Sequence, residues 1–464
     1  MGVKKCATSA VLCLLFLGFS FGLLPSASAS GSNSPQSSPF VLPIVKRDSL
    51  LNGLQLITLE QPSTGTISAH LRINSGSLFD LAGKGGLADI TAAMLAKGGG
   101  GLSAKNVADT VEHLGLTMNI STGWDSTDIV ISGPADTIDS VFDLLGKMVI
   151  SPTFDQKEIE PLKQSRTAAL STEVQEDAVT VRRKALEIVF GTHPFGRPVH
   201  GTPESLALIT RQDLLYFHNR FYIANNSQLV VNGDVTGDQV TKLGRSKLGA
   251  WKKGEKIPPT FKPPDVQAAR RVIIIDRPEG QPAQAVVAQL GISRRADDYF
   301  AAAVMTDVLG RQIAQITSVH DATRSASDLE ARLLAGPLIV SLNAAPGDLA
   351  GDLSVVLDAM ASLQANLPSN DRVDAAKSRM ISAMADRLKN TAGAAEVVLD
   401  IETFGLGRDY MINFADRVNA VSPADVQRAA QNYLKPNSVT IVIAGPASRF
   451  EGPMKKIGTV AVLK

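Results

Sequence analysis

The chain has 464 residues, 44% hydrophobic and 20% charged, the balance of a folded globular protein rather than a disordered or fibrous one. Lys plus Arg number 46 against 45 Asp plus Glu, and aromatics make up only 5%. That excludes a cationic face tracking a nucleic-acid backbone and a row of base-stacking rings, so no nucleic-acid partner is expected.

Residues 1–29 read as a signal peptide. Lys4 and Lys5 form a basic start, Ala10–Leu24 is an uncharged apolar run, and Ala27-Ser28-Ala29 is the small-x-small pattern of a cleavage site before Ser30. The expected location is therefore exported and periplasmic. The run from Cys6 to Leu24 is nearly long enough to span a bilayer, so an uncleaved segment would act as a membrane anchor. Cleavage removes both cysteines, Cys6 and Cys13, and with them any disulfide, Cys-ligated zinc or thiol nucleophile. Residues 30–39 (SGSNSPQSSP) form a Ser/Pro-rich tether that cannot pack a core.

A first domain is expected over residues 40–250. It opens with strands Leu54–Leu59 and Ser68–Ile73 around a Gln61-Pro62-Ser63 turn. A helix follows over Gly86–Lys97, with Leu87, Ile90 and Met94 as its apolar stripe and Asp89, Ala92, Ala93 and Ala96 on another face. Asp89 reads either as a first-turn acid facing the helix dipole or as an acid lining a cavity, where it would attract a basic peptide segment. The run Gly98–Gly101 is expected to end the helix, and no GK[ST] follows it to make a phosphate cradle. Longer helices are expected at Asp136–Val149 and Glu158–Glu173.

Residues 251–269, with four prolines among charges, read as a linker. A second domain over 270–450 starts with strands Arg271–Ile275 and Ala285–Leu290 around an Arg277–Gly280 turn, and 451–464 remain as a tail. The two halves are copies. Ile209–Val235 overlays Val421–Ala447 without a gap, pairing Thr210 with Ser422, Asp213 with Asp425, Phe221 with Tyr433, Asn225 with Asn437 and Gly233 with Gly445. Each copy is a hydroxyl N-cap with an acid three residues on, an apolar helix, an Asn turn and a β-branched strand. Hairpins followed by helices imply an α+β class: two duplicated domains, each a largely antiparallel sheet with helices packed on one face.

The six histidines offer no helical i, i+4 pair, and His193 and His200 flank a Pro-Phe-Gly-Arg-Pro loop that reads as structural before it reads as a metal pair. His113, beside Glu112 in a helix, reads as solvated, and no G-x-S-x-G elbow occurs.

The segments Leu51–Leu54, Asn74–Ser77, Gly86-Leu87-Ala88, Met94–Gly98, Glu112–Gly115 and above all His193–Thr202 resemble the pitrilysin/insulinase family of zinc peptidases, in its short bacterial and mitochondrial-processing form. The resemblance implies two such domains enclosing a cavity. It also implies an inverted zinc motif, H-x-x-E-H, whose residues i, i+3 and i+4 share one helix face. The motif falls on Asp89-Ile90-Thr91-Ala92-Ala93, so Asp89, Ala92 and Ala93 stand where His, Glu and His are needed. Alanine has no donor atom, and one Asp cannot hold zinc. The family's downstream Glu ligand falls near Leu170–Ser171, with Glu173 about half a turn away. Its substrate-gripping Arg and Tyr fall near Ile316 and Thr323, where Arg311 or Arg324 could replace the Arg but no Tyr is near.

The resemblance thus implies a degenerate, non-catalytic subunit with no cofactor of its own. Zinc would sit on a homologous partner with an intact H-x-x-E-H, and the pair would bind extended peptides, one of which could add as a strand to an exposed sheet edge. Two alternatives remain at this stage: an active zinc peptidase using Asp89, Glu173 and a loop histidine, and a stand-alone scaffold or peptide-binding protein.

Overall fold

The computed structural model describes residues 40, 44–278, 282–317 and 324–463. The expected signal peptide and tether, residues 279 and 280 of the expected turn, His320 and Thr323 lie outside them.

The first half opens with strands β1 (Val45–Ser49), β2 (Gln55–Glu60) and β3 (Thr66–Ile73), then helix α1 (Leu87–Leu95). A two-residue hairpin, β4 (Gly98–Gly99) and β5 (Leu102–Ser103), leads to α2 (Ala104–His113), β6 (Thr117–Thr122) and β7 (Thr127–Pro134). Helices α3 (Ile138–Ile150), α4 (Gln156–Glu173), α5 (Asp177–Phe190), α6 (Pro203–Ala207) and α7 (Arg211–Phe221) precede β8 (Ser227–Gly233) and α8 (Gly237–Leu243). The second half runs β9 (Arg271–Asp276), β10 (Ala283–Leu290), α9 (Tyr299–Thr317), β11 (Arg324–Leu329) and β12 (Pro337–Ala344). It closes with α10 (Leu349–Ala365), α11 (Asn370–Lys389), α12 (Thr391–Phe404), α13 (Tyr410–Asn419), α14 (Pro423–Tyr433), β13 (Thr440–Gly445), α15 (Ala447–Met454) and β14 (Thr459–Leu463).

Each half builds a six-stranded sheet, β1-β2-β8-β3-β7-β6 and β14-β9-β13-β10-β12-β11. From β2 and β9 onward the two orders correspond strand for strand. Most pairs are antiparallel, while β2–β8, β9–β13 and β9–β14 are parallel. The repeat shows locally as well. Thr210 and Ser422 each accept the N–H of the aspartate three residues on, and Asp213 and Asp425 accept the cap's own N–H. Two features differ from the sequence expectations. Residues 459–463, read as tail, pair with β9 and complete the second sheet. The glycine run does not cap α1, which ends at Leu95 with Ala96 as its cap; Gly98 and Gly99 instead pair with Ser103 and Leu102.

The halves exchange cover. Their own helices shield one face of each sheet: Leu87, Ile90, Met94, Phe142 and Phe217 in the first, Val304, Met305, Leu353 and Val426 in the second. The opposite face of the first sheet (Ile57, Leu59, Val230) packs on Val397, Val398 and Ile401 of α12. That of the second (Ile275, Val286, Ile339, Val442) packs on Val181, Ala185 and Val189 of α5. Residues 251–269 carry no regular element but are strapped down, with Trp251 buried and donating to the Tyr222 carbonyl at 2.9 Å.

Candidate functional site

Helix α1 is fixed from both sides. Its apolar stripe is fully buried in the first core, and at its start the Asp80 carboxylate accepts the N–H groups of Gly86 and Ala88 at 2.8 and 2.7 Å. Gly86 sits at φ 87°, and a Cβ there would meet the His200 carbonyl at 2.8 Å. Gly201, at φ 76°, is pressed against Gly85 O, which a Cβ would meet at 2.2 Å. Only glycine permits this close approach, and it brings the 193–202 loop onto the motif helix.

Asp89 points away from the apolar stripe and is 4% exposed. Its carboxylate pairs with Arg166 of α4, Nε at 2.7 Å and Nη2 at 3.0 Å, and with His200 Nδ1 at 3.1 Å. Asp89 is a first-turn acid, and the carboxylate that was to attract a basic segment is already met inside the protein: a buried acid needs a cation, and these two supply it. The Asp89 contact pushes the His200 imidazole above its usual range against burial and Arg166, with help from Glu173. Ala92 is buried and Ala93 half-buried beside it. At the expected downstream ligand place, Leu170 is buried and the Ser171 hydroxyl donates to the Thr167 carbonyl. Glu173 ends α4, exposed.

Zinc does not fit these residues. Two motif positions lack donor atoms, and the third is held by an arginine. Among the described residues no three of His, Cys, Asp and Glu come together as a metal set, so Asp89, Glu173 and a loop histidine are not assembled into one. His193 and His200 serve different neighbours. His193 Nδ1 accepts the Phe195 N–H at 3.2 Å among Phe190, Phe195 and Phe261, so the metal-pair reading is replaced by a structural one. His113 ends α2, exposed. Of the expected substrate-gripping positions, Ile316 lies in α9, where exposed Arg311 borders a separate cleft with Asp307, and Arg324 opens β11.

A cleft of 260 Å³ adjoins the ion pair, lined by Trp124, Leu170, Glu173, Arg183, Arg197 and His200 among others. Beside it the halves meet: the cleft residue Arg182 pairs with Glu330, Arg332 pairs with the same Glu330 at 3.1 Å, and Arg332 lies over the Trp124 ring at 5.1 Å. Asp125 accepts the Leu333 N–H at 3.3 Å. Sequence reasoning missed Arg166, Arg182 and Arg197. Arg166 was legible in part, since it shares a helical face with Leu170 and Glu173 at i, i+4 and i+7.

Two family descriptions match in tandem: "Insulinase (Peptidase family M16)" over residues 55–203 and "Peptidase M16 inactive domain" over 208–380. The chain belongs to the insulinase (M16) family. An uncharacterized zinc protease of Rickettsia felis is 24% identical over 207 residues, covering 45% of this chain and 50% of that protein. The probable mitochondrial-processing peptidase subunit beta of Schizosaccharomyces pombe is 24% identical over 282 residues, covering 58% and 59%. The chain thus spans about half the length of the curated relatives it matches. Among solved structures, a peptidase M16 inactive domain from Pseudomonas fluorescens superposes with a TM-score of 0.78 at 23% identity, covering 87% of this chain and 98% of that one. The periplasmic protease PqqL of Escherichia coli gives 0.73 at 15%, covering 90% and 49%. Both likenesses are of fold: this insulinase-family chain is a two-domain α+β protein whose motif helix carries an internal ion pair.

Proposed function

We propose that this chain is a non-catalytic insulinase-family subunit, exported to the periplasm, that pairs with a zinc-bearing homologue and binds extended peptides. One observation carries the reading. The helix position that would hold the first zinc ligand is an aspartate neutralised by Arg166 and His200, with Ala92 and Ala93 at the other two motif positions. Peptide capture needs no catalytic side chain, because a sheet edge supplies main-chain hydrogen bonds. Export rests on the pattern of residues 1–29, and pairing on the family's habit of placing a complete and a degenerate subunit together.

The test is an affinity pull-down of the tagged chain from its native host, with metal analysis and a peptidase assay on what is recovered. The reading expects a homologue bearing H-x-x-E-H at equal stoichiometry, no zinc on the isolated chain, and cleavage only by the pair. Stoichiometric zinc on the isolated chain with chelator-sensitive cleavage would overturn it.

A further inference from the structure

The ion pairs around the cleft beside α1 are lopsided. Asp89 is 4% exposed, while its partners Arg166 and His200 are 30% and 38% exposed. Glu330 is 10% exposed, while its partners Arg182 and Arg332 are 37% and 35% exposed. At Asp89 one buried carboxylate serves two cations that reach the water; at Glu330 the two arginines are also faced by Asp328, and Arg332 by the buried Asp125. Arg183 and Arg197 line the same cleft, and neither is hydrogen-bonded to a carboxylate among the described residues. Arg197 donates to the main-chain carbonyls of Asp80 and Leu78 at 3.2 and 3.5 Å, leaving its Nε buried without a partner. Among the residues that line the cleft the one acid is Glu173, and the exposed Asp328 lies behind it against Arg182 and Arg332, so the lining itself carries Arg182, Arg183, Arg197 and His200 against a single carboxylate. Low-dielectric walls focus such a field into the cleft, so its potential toward solvent is positive although the whole chain is nearly neutral. Leu170, Leu186, Trp124 and Val199 supply an apolar lining beneath the charges.

We infer that this cleft takes a carboxylate of the bound peptide, so that acidic segments or a free C-terminus are preferred over basic segments. The inference rests on the peptide-binding reading above and names its substrate class. It reverses the expectation that Asp89 would attract basic segments, because the charge of Asp89 is already spent.

The test is fluorescence anisotropy on the full chain with four labelled peptides of equal length and apolar content: acidic amide, basic amide, neutral amide and neutral free acid. At low salt the acidic amide should bind about tenfold more tightly than the basic amide. That preference should collapse in about 1 M salt, where the Debye length is about 3 Å. Arg183→Glu should abolish it, and Arg183→Lys should retain it. Tighter binding of the neutral free acid than of its amide would support capture of the chain terminus; equal binding of the two would support capture of acidic side chains. Basic or neutral peptides binding as tightly as the acidic one would overturn the charge preference and leave peptide binding standing. Absence of binding by all four would overturn the peptide-binding reading, and this inference with it.

Discussion

Asp89 shows how packing decides the neighbours of a helix residue whose position local rules fix. It sits in the first turn of α1, where the macrodipole favours an acid, yet the packing of α4 and the 193–202 loop decides which cations meet it. Removing Arg166 would leave a 4% exposed carboxylate with His200 alone. Arg166→Ala should cost about 2 kcal/mol in urea unfolding, less than for a fully buried pair because Arg166 is itself partly exposed. His200 is faced by Asp89, Arg166 and Glu173, and folding raises its pKa from 6.5. Its contribution to stability is therefore complete below about pH 6.5 and lost as pH rises through the folded value. His218, buried with its Nε2–H donating to the Val149 carbonyl at 2.9 Å, is lowered from 6.5 by burial and runs the other way: its contribution is present above about pH 6.5 and lost as pH falls through the folded value. In an imidazole NMR titration His200 should titrate above His218, and Asp89→Asn should move His200 downward while leaving His218 unchanged. Equal titration of the two rings would contradict the ion-pair assignment. The Asp80 carboxyl, raised to about 7 by burial, works in the same sense as His200, with its contribution fading between about pH 4 and 7.

Elements were legible where a local rule sufficed. Helix α1 follows from its apolar spacing, and α7 and α14 follow from two capping boxes with the same residue types. Thr210→Ala and Ser422→Ala should each cost about 1 kcal/mol, and the two should add, since the caps belong to different halves. Chemical denaturation of the single and double variants measures this. The glycine run after α1 was misread because a helix end and a tight hairpin both accept glycine. What decided it was α3: a Cβ on Gly99 would meet the Lys147 carbonyl at 2.4 Å. Gly99→Ala should therefore destabilise by more than about 1 kcal/mol, measured in the same way. Strand β14 was missed because Val460 and Val462 alternate in a segment too short to distinguish from a tail without its partner, β9.

At the scale of the molecule, the exchange of α5 and α12 ties the halves into one folding unit. Without α12 the first sheet would expose Ile57, Leu59 and Val230, and without α5 the second would expose Ile275, Val286 and Val442. Polar contacts follow the same seam: Arg47 to Glu402 at 3.0 Å, Arg72 to Asp400 at 2.9 Å, and Arg277 to Asp177 at 3.1 Å. Calorimetry should show one cooperative transition for the full chain. Residues 40–250 produced alone should bind a hydrophobic dye and lack that transition; independent, native-like melting of the two halves would contradict the exchange. The sequence by itself determined the family, the duplication, the α+β class and the absence of donor atoms at Ala92 and Ala93, because spacing, capping and side-chain chemistry are local properties. Only the tertiary structure decided that Asp89 is neutralised, that Asp89 and Glu330 are buried while their cations reach water, and that each half covers the other's sheet. Those outcomes depend on contacts between residues far apart in the chain, which no local pattern encodes.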